Sequence, residues 1–340
     1  MGSKASTKAL TPARARQILE AASKTRVLVI GDVMLDHFIR GDVSRISPEA
    51  PVPVVEFRKE DFMPGGAANV ARNLVALNGA AEIFGAVGND SAAMQLEMLL
   101  RKQRIACEGL VADPDRSTSI KTRVIAHKQQ VVRIDRETQI DLNPQLAGRL
   151  LDALKSRLEN GNAVIIGDYG KGVVTQWLLD GIKKLCHERG VWLSFDPKPI
   201  HRLDLGGLSL ITPNRKEAFE LAELPDKRSD LDPRMDRDLM LVAERLLKEF
   251  KPEVLLITLG EQGMLLCQPG QKPFHIPTIA KDVSDVSGAG DTVIATFTLA
   301  MAAGATPIEA AILSNHAAGI VVGKAGTAVT SPEELLKSLR

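Results

Sequence analysis

The stretch Asp285-Val-Ser-Gly-Ala-Gly-Asp291 combines two things that group transfer onto a hydroxyl requires, an anion-binding turn and an acid–base group. A Gly-Ala-Gly turn that opens a helix leaves backbone N–H groups pointing at one spot, at the positive end of the helix dipole. Such a spot stabilises a phosphoryl group whose charge spreads during transfer. Gly288, Ala289 and Gly290 are therefore the candidate anion hole. Asp291 beside them is the candidate general base for an attacking hydroxyl. A Gly-rich turn before a core helix is the competing reading, since residues 292–302 are apolar. A second turn, Pro64-Gly65-Gly66-Ala67-Ala68-Asn69, opens another helical pattern. Paired glycines admit a ligand against the backbone, and Asn69 can both donate to and accept from a sugar hydroxyl. Tight packing at a helix start is the alternative use of the same small residues.

Positions so far apart in sequence need a scaffold that brings them to one edge. Five apolar runs provide it: residues 27–30 run into Gly31-Asp32, 163–166 into Gly167-Asp168, 191–195 into Asp196-Pro197-Lys198, 208–211 into Thr212-Pro213-Asn214, and 254–258 into Leu259-Gly260. Continuous apolar runs of this length read as strands of a parallel sheet buried on both faces. Polar residues just past strand C-termini mark the edge where an open α/β sheet keeps its site. Helical spacing falls between the runs, at 67–78, 91–104, 144–159, 176–189, 237–250, 289–303 and 307–322. Gly79, Gly190 and Gly304 stand where helix C-caps are expected. Two polar segments, 38–57 and 119–136, break the rhythm; the second alternates in β fashion about a turn at His127-Lys-Gln-Gln130. Both read as a small projecting β-sheet that covers the substrate. Residues 225–237, rich in Asp, Arg and Pro, read as a loop.

Composition excludes several classes of partner. The 43 Lys+Arg and 42 Asp+Glu leave almost no net charge, so neither a nucleic acid nor a membrane surface is expected as partner. Aromatic residues are 4%, too few for a single-strand stacking platform. Cys107, Cys186 and Cys267 form no CxxC pair and read as reduced thiols of a cytoplasmic protein. The most apolar stretch, near 293–305, is short of the ~20 residues that span a bilayer. The first 25 residues lack the apolar core of a signal peptide. Met1-Gly2-Ser3-Lys4-Ala5-Ser6 fits a myristoylation pattern but reads more simply as a polar leader.

Gly65-Gly66-Ala67-Ala68-Asn69 and Asp285-x-x-Gly288-Ala289-Gly290-Asp291 together resemble the two signatures of the ribokinase-like (pfkB) sugar kinases. Asn214-Arg215-Lys216-Glu217 is similar to that family's Asn-x-x-Glu motif, and Thr258-Leu259-Gly260 with Gly263 to its nucleotide-side turn. Within the family, Gly31-Asp-Val-Met-Leu-Asp36, the run 44–55, Asp168-Tyr-Gly-Lys-Gly172 and Val321-Val-Gly-Lys-Ala-Gly326 resemble the D-glycero-β-D-manno-heptose-7-phosphate kinases. Ser287 stands where threonine is common and keeps the hydroxyl. No His-x-Gly-His element of a fused nucleotidyltransferase is present, so the chain resembles the stand-alone kinase.

The resemblance runs from about Arg26 to Pro332. It implies a three-layer α/β/α fold with a mostly parallel central sheet and a β-sheet lid. The kinase domain would be 26–340 and the N-terminal extension 1–25. It implies ATP and Mg2+ as cofactors, with K+ a further candidate. Asp291 would be the base; Asp32, Asp36, Gly65, Gly66 and Asn69 would face the sugar. Asn214 and Glu217 would serve the ATP phosphates and Mg2+, partly through water. Arg215, Lys216, Thr258, Gly260, Gly263 and Asn315 would line the nucleotide side. The implied reaction is phosphorylation of the anomeric hydroxyl of heptose 7-phosphate, early toward the ADP-heptose of lipopolysaccharide core. A substrate that already carries a phosphate needs cations, and Arg123, Arg133 and Lys171 are the candidates, with Lys198 next. A solvated charged face is the other reading of those residues. A homodimer through the lid is the expected assembly. A phosphofructokinase-like enzyme and a non-catalytic sugar or nucleotide sensor are the alternatives.

Overall fold

In a computed structural model, which describes residues 10–127, 129–200, 202–227, 232–280 and 282–339, the apolar run at 27–30 is the heart of β1 (Arg26–Gly31). The strands that follow are β2 (Val33–Ile46), β3 (Pro53–Gly66), β4 (Ala80–Val87), β5 (Ala106–Ala112), β6 (Ser119–Ala126) and β7 (Gln129–Arg136). Then come β8 (Ala163–Gly167), β9 (Trp192–Asp196), β10 (Leu210–Ile211), β11 (Val254–Thr258), β12 (Met264–Cys267) and β13 (Phe274–Ile276). A nine-stranded sheet runs β13-β12-β11-β10-β9-β8-β1-β4-β5. It is parallel except where β12 pairs antiparallel with β11 and β13.

Strand side chains alternate between two apolar layers. Val27 and Val29 enter one with the helices Ala67–Ala76, Ala289–Ala302 and Pro307–Val322, while Leu28 and Ile30 enter the other with Pro144–Arg157, Gln176–Arg189 and Arg237–Phe250. Continuous burial on both faces is why the five runs were uninterrupted in sequence. The strands β4 and β5 were not legible that way. β4 carries Glu82, which is buried but paired with Arg26 and with Arg157, the latter at 3.3 Å. β5 lies at the sheet edge and alternates buried with open positions.

A four-stranded sheet, β3-β2-β6-β7, projects from the domain. It is longer than the expected segments 38–57 and 119–136, because β2 begins at Val33 and β3 ends at Gly66. The lid therefore starts and finishes inside the site: Val33 pairs with Gly66 and Met34 with Gly65. The strand β7 already begins at Gln129, so the hairpin turn is tighter than 127–130; Lys128 lies outside the described residues.

Within the stretch expected to be an N-terminal extension, Pro12–Ala22 is a helix that buries Ala15, Ile18, Leu19 and Ala22 against the core. Arg14 fastens it, donating to Glu309 at 2.9 Å and to the Gly304 carbonyl at 2.9 Å. The myristoylation-like residues lie outside the described part. Gly190 and Gly304 take positive φ after their helices, but after Ala67–Ala76 it is Asn78 that does so (φ 68), and not Gly79. Among the described residues no helix is long and apolar enough to cross a membrane.

Candidate active site

Asp291 sits in the first turn of the helix Ala289–Ala302 and is 9% exposed. Its Oδ2 accepts from Asn69 Nδ2 at 2.6 Å and its Oδ1 from the Tyr169 hydroxyl at 2.6 Å. Burial pushes its pKa above the usual carboxylate range; the Asn69 and Tyr169 hydrogen bonds oppose this, nearby Asp36 adds to it, and Lys121 opposes it. An ionised carboxylate here is a stronger base than one in water, as acid–base work near neutral pH requires. Gly288 caps the helix at φ 80, and a Cβ there would lie 2.7 Å from Asn69 Nδ2. The turn must therefore be glycine for Asn69 to reach the carboxylate. The Ala289 amide donates to the Val286 carbonyl at 3.2 Å, so the amide of Gly290 is the better placed part of the expected anion hole.

The aspartates and the asparagine expected to face the sugar are each engaged by other groups of the protein. Asp32, 1% exposed, accepts from the amides of Tyr169 (2.8 Å), Lys171 (3.0 Å) and Val173 (3.0 Å). It thus holds the loop after β8 that presents Tyr169. Asn69 is fully buried and turned to Asp291; Arg72 Nη1 donates to Asn69 Oδ1 at 2.8 Å, which fixes the amide so that Nδ2 points at the carboxylate. Asp36 makes a 2.6 Å bridge to Arg123. Gly65 leaves room for Asp36, since a Cβ would stand 2.4 Å from its Oδ2. These side chains build the wall behind the base.

Two cavities meet at Thr258 and Gly290. One, about 260 Å3, is apolar and is bordered by Gly260, Gly263, Val283, Val293, Asn315 and Val322. Its chemistry suits a nucleobase and ribose. The other, about 500 Å3, is polar and reaches from Asn214 and Glu217 past Asp196 and Tyr169 to the lid. Asp291 stands one residue from the junction.

On the nucleotide side, Asn214 and Glu217 form a reciprocal capping box on the helix Arg215–Leu221, each side chain accepting from the other's amide at 3.0 Å. Glu217 Oε1 also accepts from Lys198 at 3.2 Å. Arg215 and Lys216 fall outside both cavities. Arg215 binds Asp226 and Asp236 and lies over the Phe219 ring, whereas Lys216 pairs with Glu220 in solvent. Their place in the motif is set by the helix register, which carries them to the far side. Asp196, marked in the sequence as a strand-end residue but given no role there, faces the polar cavity, its Oδ1 accepting from Thr212 at 3.0 Å. Burial holds its pKa well above normal, and Glu217 and Asp291 raise it further. Among the described residues no three acidic, His or Cys side chains converge tightly enough to hold a metal by themselves. Glu217 and Asp196 are carboxylates that border the polar cavity beside Asn214, and they are the candidates for a Mg2+ that keeps waters and phosphate oxygens around it.

The basic candidates are distributed unequally. Arg123 and Arg133 are direct cross-strand partners, as their spacing about the turn required. Arg123 is neutralised by Asp36 and stacked on Phe38, its guanidinium carbon 5.3 Å from the ring centroid. Arg133 borders the polar cavity but forks onto Asp135, both bonds 2.9 Å. Lys171 borders it too, paired with Glu137 at 2.7 Å. A fifth cation, Lys121, was missed. It lies beside Asp36 and Asp135 in register, lines the cavity, and its ammonium makes no ion pair with a described residue. Burial lowers its pKa, with Asp36 opposing. Its position in the alternation with Arg123 was the available signal. Tyr169 had a signal as well, as the single tyrosine of the chain inside a singled-out motif.

A nine-stranded, mostly parallel sheet with a strand-built lid and a helix-borne acid at the cavity junction defines a ribokinase-like phosphotransferase. The sequence profile of the pfkB family carbohydrate kinases matches residues 24–334, and the chain belongs to that family. It is a sugar kinase, as the two glycine-rich signatures implied. It is 42% identical over 320 residues to the bifunctional protein HldE of Desulfatibacillum aliphaticivorans, covering 94% of this chain and 64% of the relative. It is 43% identical over 321 residues to HldE of Nitrosococcus oceani, covering 93% and 64%. The chain thus spans about two thirds of the length of these relatives. Phosphofructokinase-2 from Escherichia coli in complex with potassium shares the fold at a TM-score of 0.76 and 21% identity, covering 93% of this chain and 98% of that one. Arabidopsis thaliana ribokinase complexed with ribose and ATP does so at 0.71 and 19%, covering 93% and 99%.

Proposed function

We propose that this kinase transfers the γ-phosphoryl group of ATP to the anomeric hydroxyl of D-glycero-β-D-manno-heptose 7-phosphate. The product is the 1,7-bisphosphate, on the way to the ADP-heptose of lipopolysaccharide core in a bacterial cytoplasm. The observation that carries this reading is the polar cavity beside Asp291, lined by Lys121, Arg133, Lys171 and Lys198. A sugar without a phosphate has no need of so many cations. The motifs particular to heptose-7-phosphate kinases and the HldE relatives point the same way.

In this mechanism Asp291 takes the proton of the acceptor hydroxyl as its oxygen bonds to the γ-phosphorus and the bond to the ADP oxygen breaks. The Gly290 amide and the helix N-terminus offset charge on the transferring group. Mg2+, held by Glu217 and Asp196 with the ATP phosphates, would supply further charge compensation. K+ is a candidate activator. Lys121 grips the phosphate already on the sugar, with Arg133 and Lys171 following once that phosphate displaces Asp135 and Glu137 from them. The lid excludes water that would otherwise accept the phosphoryl group.

The lid also supports a homodimer. Its outer face carries Val132 (46% exposed) and Ile134 (58%), with Phe57 (61%) near the far end, an apolar surface that a second copy would cover. The alternative substrate class is a fructose phosphate, favoured by the fold shared with phosphofructokinase-2. The sensor reading has no use for a buried acid at the cavity junction. Side-by-side turnover decides among the three. The enzyme with ATP and Mg2+ should release ADP with heptose 7-phosphate far faster than with fructose 6-phosphate, and phosphorus NMR should show a new anomeric phosphate. Preference for the fructose phosphate, or no turnover of either, would overturn the proposal.

A further inference from the structure

Tyr169 has no part in the mechanism above, yet its hydroxyl is 2.6 Å from the acid at the reaction centre. The loop that carries it is shaped for this contact. Asp32 gathers the amides of Tyr169, Lys171 and Val173, and Asp168 accepts from the Gly170 amide at 2.9 Å. Gly170 and Gly172 hold φ of 68 and 83, conformations that side chains resist. A loop bound at so many points delivers its phenol to one place. A phenol at neutral pH is a donor, and the carboxylate it meets is an acceptor, so the bond favours the ionised acid.

We infer that Tyr169 is a positioning residue for Asp291: its hydroxyl holds Oδ1, keeps the buried carboxylate ionised, and leaves the remaining lone pairs to the acceptor hydroxyl. Asp291 needs such help. Asp36 on β2 faces it with negative charge, and Asp196 at the end of β9 is close enough for Asp291 to raise its pKa. Asn69 and Arg72 on the helix Ala67–Ala76 and Lys121 on β6 face it from the other side. Arg72 acts through Asn69, to which it is bonded. Tyr169 and Asn69 are thus the two direct donors, one on each carboxylate oxygen. The shift of the phenol's own pKa well above normal, from burial and then from Asp291, has the matching sign.

The inference rests on Asp291 being the base, and three measurements separate the two. Asp291→Asn is assayed first; near-normal turnover would sink the base assignment itself. With that variant inactive, Tyr169→Phe is followed across pH with heptose 7-phosphate. Losing a donor to the charged form raises the acid's pKa, so the acid limb of kcat/KM should move up by about one to two pH units, the scale of a hydrogen bond to a charged group. The plateau at higher pH should stay within a few-fold of wild type. A uniform loss at every pH, with the limb unmoved, would make Tyr169 a packing residue and overturn the inference. The third measurement needs no substrate and no change at Tyr169. Because the chain has one tyrosine, tyrosinate absorbance reports Tyr169 alone. Its alkaline midpoint should fall in Asp291→Asn, where the neighbouring negative charge is gone. Coincident titrations of wild type and Asp291→Asn would overturn the inference as well.

Discussion

Arg123 and Lys121 are two residues apart on one strand, and the structure assigns opposite consequences to losing them. Arg123 forms a 2.6 Å bridge with Asp36 in which the side chains are 14% and 5% exposed. Removing the arginine leaves a buried carboxylate without its counter-charge, a change that costs about 3–5 kcal/mol. Arg123→Met should therefore lower the melting temperature and reduce turnover of every sugar alike. Lys121 has no ion pair with a described residue to lose, and burial already disfavours its charge. Lys121→Met should leave the melting temperature unchanged or raise it. Its cost should fall on the phosphate already on the substrate. One charge-assisted bond is about 1.5–3 kcal/mol, which corresponds to about 10–100-fold in kcat/KM at ~1.4 kcal/mol per decade. The assay is kcat/KM for heptose 7-phosphate and for the unphosphorylated heptose, with thermal denaturation of both variants. The refuting result is equal proportional loss on the two sugars in Lys121→Met, or a phosphate-specific loss at unchanged stability in Arg123→Met. The second outcome would return the phosphate grip to the arginine.

Asp291→Asn should cut turnover by about 10²–10⁴-fold, the scale of a positioned base, while ATP binding measured by calorimetry stays within a few-fold; a parallel loss of ATP affinity would refute it. Glu217→Gln keeps an acceptor for the Asn214 amide but loses the charge, so the Mg2+ concentration for half-maximal rate should rise with little change in melting temperature. An unchanged Mg2+ curve would place the metal elsewhere. The folded-state pKa of Asp196 is raised, so above the ordinary carboxylate range the folded protein holds a proton that the unfolded chain releases. Stability is then lost as pH rises through that window, and in chelator-treated protein Asp196→Asn should be increasingly more stable than wild type as pH rises; a pH-independent difference would contradict this. For the lid contact, Ile134→Asp should shift the sedimentation profile from dimer toward monomer, and an unaltered dimer would exclude this face.

The sequence disclosed the site wherever a residue's type was dictated by chemistry and its place by a strand end. Asp196, Thr212 and Asn214 follow apolar runs, and all three border the polar cavity. The helix opened by Gly288 starts where the turn required, because no other residue could sit at φ 80 beside Asn69. What a linear reading could not disclose was pairing. Arg123 and Lys121 look equivalent in a β-alternating segment, and only the register of β6 against β2 tells that one is neutralised. Arg215 looks like a phosphate ligand inside its motif until Asp226 and Asp236 fold back onto it. β4 and β5 were silent because a buried glutamate and small residues interrupt one, and edge exposure interrupts the other.

Asp32 directly follows β1 and Asp36 lies in the first part of β2, and their partners connect the loop beside the base with the lid. Asp32 binds the loop that carries Tyr169 and Lys171, and Asp36 binds Arg123 of the lid. Lys171 then reaches across to Glu137, just beyond β7, at 2.7 Å. The loop beside the base and the strands over the substrate are therefore held in one circuit of charged contacts. A phosphate entering between Lys121, Arg133 and Lys171 must compete with Asp135 and Glu137 for the same cations. Substrate would then rearrange the contact between lid and loop at the moment it docks, and Tyr169, on that loop, would feel the change at Asp291. A sugar lacking the phosphate would leave the circuit undisturbed. In that arrangement discrimination would extend to kcat as well as KM, because the group that recognises the substrate also adjusts the surroundings of the base.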